Sequence, residues 1–61
     1  MKNLTDKELA AGIRNAAEWD SEMLTELCER ADMLDEWNAA DGESFERIVE
    51  AAAEKLGVEI Y

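Results

Sequence analysis

Sixty-one residues give one folding unit at most, and a chain this short buries only about 60% of the surface its unfolded form exposes. Sixteen acidic residues against six basic ones leave a formal charge of −10. That excludes direct DNA or RNA binding, whose affinity comes from neutralising phosphates with Lys and Arg. With no histidine and one cysteine, Cys28, an internal disulfide and a thiolate zinc site are excluded as well.

The opening Met1-Lys2-Asn3-Leu4-Thr5 turns polar at once, and no apolar run approaches a signal core or a membrane span. A cytoplasmic protein without a membrane partner is the expectation, and the free cysteine agrees with a reducing compartment. Disorder is rejected, because 48% of the residues are apolar and they recur at helical spacing.

The first helix signal is Thr5-Asp6-Lys7-Glu8. Thr5 can cap the helix while Glu8 returns the bond, and Leu4 and Leu9 stand where a hydrophobic staple puts them. Leu9, Ile13, Ala16 and Ala17 continue an apolar stripe, which predicts a helix over about 6–18. Gly12 weakens it by about 1 kcal/mol unless a neighbour packs close.

A second start lies at Trp19-Asp20-Ser21, with Asp20 as the cap. Met23, Leu24, Leu27, Cys28, Ala31, Leu34 and Trp37 line one side of the stretch that follows. Glu22, Glu26, Glu29, Asp32 and Glu36 line the other. The spacing predicts one amphipathic helix over 21–38.

Asn38-Ala39-Ala40-Asp41-Gly42 reads as fraying and a turn. Asp41 or Ser44 then caps a third helix over about 44–56. Its apolar face is Phe45, Ile48, Val49, Ala52 and Leu56, and Glu43, Glu46, Glu50 and Glu54 lie opposite. Gly57 followed by Val58 fits a helix stop. The tail Glu59-Ile60-Tyr61 is too short for a sheet and can lie across the helices. The expected architecture is all-α: a compact three-helix bundle over 1–61 with a short extended C-terminal tail.

Catalytic equipment is missing. Without histidine the usual general base and every Ser/His/Asp or Cys/His arrangement are excluded, and the carboxylates lie on solvated faces. The chain is expected not to be an enzyme and to need no cofactor. Cys28 sits on an apolar stripe as a small buried hydrophobe. Asp20-Ser21 resembles the attachment site of acyl carrier proteins. However, Glu22 stands where that family has leucine, and the family's long loop before the serine has no room here. Asp32, Asp35, Asn38, Asp41 and Gly42 have helical spacing, not the alternate spacing of a calcium loop. Trp37 and Phe45 read as core, while Trp19 or Tyr61, if partly exposed, would serve as an interface anchor.

The run Glu36-Trp37-Asn38-Ala39-Ala40-Asp41-Gly42-Glu43-Ser44-Phe45-Glu46, with Ala51-Ala52-Ala53-Glu54-Lys55-Leu56-Gly57-Val58, resembles short acidic open reading frames of bacteriophages and mobile elements. In size and charge the whole chain is similar to the anti-CRISPR and DNA-mimic anti-restriction proteins. This likeness is one of class, so no site is carried over. It implies an inhibitor that blocks a basic nucleic-acid-binding protein complex, such as a CRISPR effector, in the host cytoplasm. The contact rows are then Glu22, Glu26, Glu29, Asp32 and Glu36, and Glu43, Glu46 and Glu50. The alternative is a small adaptor or homodimeric module that docks through an exposed stripe of Met23, Met33, Trp37 or Trp19.

Overall fold

The computed structural model describes residues 3–61, so the polar start at Met1 and Lys2 lies outside the described residues. The chain is all-α, with α1 (Asp6–Asn15), α2 (Ser21–Arg30), α3 (Leu34–Ala39) and α4 (Phe45–Leu56). No strand forms among the described residues. Among the described residues there are four helices where the spacing predicts three.

The first helix begins as its cap predicts. Thr5 Oγ1 accepts from the Glu8 amide at 3.1 Å, and Glu8 Oε1 accepts from the Thr5 amide at 2.9 Å. The Thr5 amide, and after it the Thr5 hydroxyl, hold the Glu8 carboxyl below the usual carboxylate range. The helix stops at Asn15, three residues short of the predicted end. Ala16 is extended, and its amide closes the last turn on Gly12 and Ile13. Ala17 is exposed and has little area to hold another turn. Trp19, by contrast, has a large ring to bury by bending back.

The predicted helix over 21–38 is two helices. Asp20 Oδ1 caps α2 by accepting from the Glu22 amide at 2.9 Å. At the other end Asp32 takes a positive φ of 59°. The Met33 amide reaches back to the Cys28 carbonyl at 2.8 Å, and the Asp32 amide to that of Glu29 at 3.1 Å. That pair of bonds around one left-handed residue is the Schellman stop, here built on aspartate. Apolar periodicity runs through the break, so the pattern alone does not reveal it. Met33 then starts α3, a helix of six residues with no side-chain cap bond and no fully buried residue.

Asp41 and Ser44 share the entry to α4. Asp41 Oδ1 accepts from the amides of Glu43 and Ser44 and from the Ser44 hydroxyl. These donors hold the Asp41 carboxyl below its ordinary range, the Glu43 amide first. The other end is the same stop in its glycine form: Gly57 has φ 71°, and the Val58 amide donates to the Ala53 carbonyl at 3.0 Å.

Helix α2 is central and packs against α1, α3 and α4, while α3 also packs against α4. Leu9, Ala10 and Ile13 meet Leu24, Leu27, Cys28 and Ala31, with Val49, Ala52, Ala53 and Ile60 completing the core. No polar or charged residue is buried among the described residues. A Cβ on Gly12 would stand 3.0 Å from the Met23 methyl, so the weak helix former sits where the Met23 side chain of α2 packs close. None of the helices is long and apolar enough to cross a membrane, among the described residues.

Candidate partner-binding surface

Leu24, Leu27 and Cys28 turn α2 inward, and at roughly 100° per residue Glu22, Glu26 and Glu29 fall on its opposite side. The predicted first row does not survive as one strip. Glu22 and Glu29 are exposed, but Glu26 keeps only 13% of its side chain in solvent. Its Oε2 accepts from Arg30 Nε at 3.0 Å, while Arg30 Nη1 bridges to Asp6 Oδ1 on α1 at 3.0 Å. These contacts raise the Arg30 pKa, the Glu26 bond first. The charge of Glu26 is therefore matched within the fold. Asp32 is exposed in the helix stop, off the α2 row, and Glu36 is exposed on α3.

The second row holds together better. Glu43 lies in the turn before α4, and Glu46 and Glu50 follow one turn apart on its exposed side. None of the three makes an ion pair among the described residues.

Residues 58–61 lay a non-helical tail beside that row. Ile60 is buried, and Arg14 Nη1 donates to the Glu59 carbonyl at 3.0 Å, which ties the tail to α1. The Tyr61 hydroxyl donates to Glu50 Oε1. That bond, some burial and the charges of Glu50 and Glu46 push the phenol up to about 12. A shallow groove here is lined by Glu50, Glu54 and Glu59 together with Ala53, Val58, Ile60 and Tyr61.

Sequence spacing gave no sign that all four aromatic residues meet. Trp37 and Phe45 form an edge-to-face pair with centroids 6.5 Å apart, and Trp19 meets Phe45 in the same way at 6.4 Å. Tyr61 tilts onto Trp19 at 5.8 Å. The row Trp37–Phe45–Trp19–Tyr61 draws on α3, α4, the α1–α2 connection and the tail, which no periodicity links. Its exposure is graded: the first three are half-buried, and Tyr61 is 69% exposed. Met23, Met33, Trp19 and Trp37, named for an exposed apolar stripe, are partly buried and packed against the core.

Cys28 is fully buried, and loss of solvation with the nearby Glu36 charge pushes its thiol up, away from the reactive thiolate. No group of three or more His, Cys, Asp or Glu stands close enough to hold a metal ion, among the described residues. Compared with protein-family models, curated proteins and solved structures, the chain matches none.

Proposed function

We propose that this chain is a non-enzymatic, protein-binding inhibitor that occupies the basic groove of a nucleic-acid-binding complex. The reading extends to a phage-encoded protein of the anti-CRISPR type, acting in the bacterial cytoplasm on an effector whose channels are lined with Lys and Arg. One observation carries it: Glu43, Glu46 and Glu50 stand exposed and unmatched by any cation among the described residues, on a chain of net charge −10. Such a surface is steered onto a basic groove and competes there with phosphates. Glu22, Glu29, Asp32 and Glu36 add negative field from elsewhere on the molecule. Glu26 contributes less, because Arg30 already matches it.

The test is capture from a bacterial lysate on the immobilised protein, followed by elution with a salt gradient and, separately, with duplex DNA. A basic complex released by either eluant, and no longer captured by the triple variant Glu43→Lys, Glu46→Lys, Glu50→Lys, is the expected result. A partner that resists both eluants and ignores the triple variant overturns the proposal and favours the adaptor reading.

A further inference from the structure

We propose that Tyr61, Trp19 and the carboxylates of Glu46 and Glu50 form a cradle for an arginine side chain of the basic partner. The inference rests on the acidic-surface reading above and assigns it one contact point.

Two features coincide here. The first is an aromatic face with a solvent-facing end: Tyr61 is 69% exposed and tilts onto Trp19, with centroids 5.8 Å apart. Phe45 backs Trp19 edge-on at 6.4 Å, so the ring beneath the tyrosine is held in place. The second is paired negative charge beside the same ring. Glu50 accepts the Tyr61 hydroxyl, and Glu46 lies one helical turn before it on α4, close enough for its charge to act on the phenol.

A carboxylate offers about four acceptor positions, so Glu50 keeps acceptors for a second donor after taking the phenol proton. A guanidinium is flat, stacks on aromatic faces and presents a fork of N–H donors to carboxylates. It can lie on the Tyr61 ring and direct that fork at Glu46 and Glu50. Ala53 and Val58, which line the same groove as Tyr61, offer apolar surface to the aliphatic stem or a neighbouring residue. Lysine satisfies the charge but not the stacking. Nucleic-acid bases also stack on aromatic rings, yet their phosphates would meet Glu46, Glu50 and Glu54.

The experiment titrates the full chain with oligoarginine and with oligolysine of equal length, followed by tryptophan emission and calorimetry. Oligoarginine should bind about three- to fivefold tighter than oligolysine, the factor expected of one exposed cation–π contact. Tyr61→Ala removes an exposed ring, so it should fold normally and bring the two affinities together. Trp19→Leu, checked for helix content by circular dichroism, should do the same while keeping apolar bulk. Equal binding of both peptides by the unaltered chain overturns the cradle but leaves the acidic surface standing. An arginine preference that survives Tyr61→Ala also overturns the cradle. Failure of both peptides to bind, or tighter binding of a single-stranded oligonucleotide than of oligoarginine, overturns the acidic-surface reading as well.

Discussion

At the scale of single residues, the two left-handed positions make a matched pair. Asp32 and Gly57 each stop a helix with the same two backbone bonds, but only glycine adopts that conformation without strain. Asp32 also places a negative charge at the negative end of α2. Asp32→Gly should therefore stabilise the chain by about 0.5–1 kcal/mol, raising Tm by roughly 2–8 °C in a thermal melt. Gly57→Ala should cost about 1 kcal/mol. Nothing lies within 4 Å of the added methyl, so that loss is purely a backbone effect. Equal and opposite shifts would tie both to φ; a neutral Asp32→Gly would show that the aspartate makes its own compensation.

The tyrosine gives a second residue-level test. There is one tyrosine in the sequence, so ultraviolet absorbance reports its ionisation without overlap. The folded phenol is raised to about 12, above its ordinary value of 10.0. Its contribution to stability is therefore fully present below about pH 10 and is lost as pH rises through about 12. Glu50→Gln should move the titration midpoint back toward 10. An unchanged midpoint would mean that the hydrogen bond does not form in solution.

Among the elements, α3 is the weak one. It has six residues, no side-chain cap and no fully buried residue, and Trp37, packed on the core and edge-on to Phe45, is its large anchoring side chain. A helix that short does not persist without tertiary contacts. Its amides should exchange with solvent fastest among the four helices, and Trp37→Ala should bring them to unprotected rates while α1 and α4 keep theirs. Mass-spectrometric hydrogen exchange resolves the segments.

The same element shows what was readable in advance. The Thr5–Glu8 box, the Asp20 cap, the Gly57 stop and most of the buried sides of α1, α2 and α4 were legible, because each depends on near neighbours in sequence. Ala10 and Ala53 are buried although the apolar stripes leave them out, and Ala17 is exposed although its stripe includes it. The break at Asp32 was not, since Leu34 and Trp37 continue the stripe of Leu27 and Ala31 and aspartate is an uncommon left-handed residue. The aromatic row was illegible for a different reason: its four members come from four segments, and only tertiary packing brings them together. Glu26 was misplaced although Arg30 stands four residues on in the same helix, a spacing the sequence does show; only the reach of Arg30 to Asp6 on α1 needed the tertiary fold.

For the whole molecule, charge and size set the balance. Ten net negative charges occupy a body of 25 × 24 × 17 Å, little more than two screening lengths across at about 0.1 M salt. Self-repulsion then opposes the compact state. The ion pairs that salt would weaken centre on Arg30, so screening should help more than it harms. Raising sodium chloride from about 10 mM to about 0.5 M should lift Tm by roughly 5 °C, the shift given by about 1 kcal/mol. A falling Tm would mean that the Arg30 bridge outweighs the repulsion.

The bond from Arg14 to the Glu59 carbonyl spans 45 positions of chain, and Ile60 is buried beside it against a wall that α4 completes. Such a contact closes about three-quarters of the chain into a loop, and its receptor exists only after α1, α2 and α4 have met. Tail docking therefore belongs on the native side of the folding barrier. Ile60→Ala should accelerate unfolding in stopped-flow experiments and leave the refolding rate almost untouched, while Leu27→Ala slows refolding as well. The last four residues would then act as the lock on a bundle already assembled, setting how long the native state lasts more than how fast it forms.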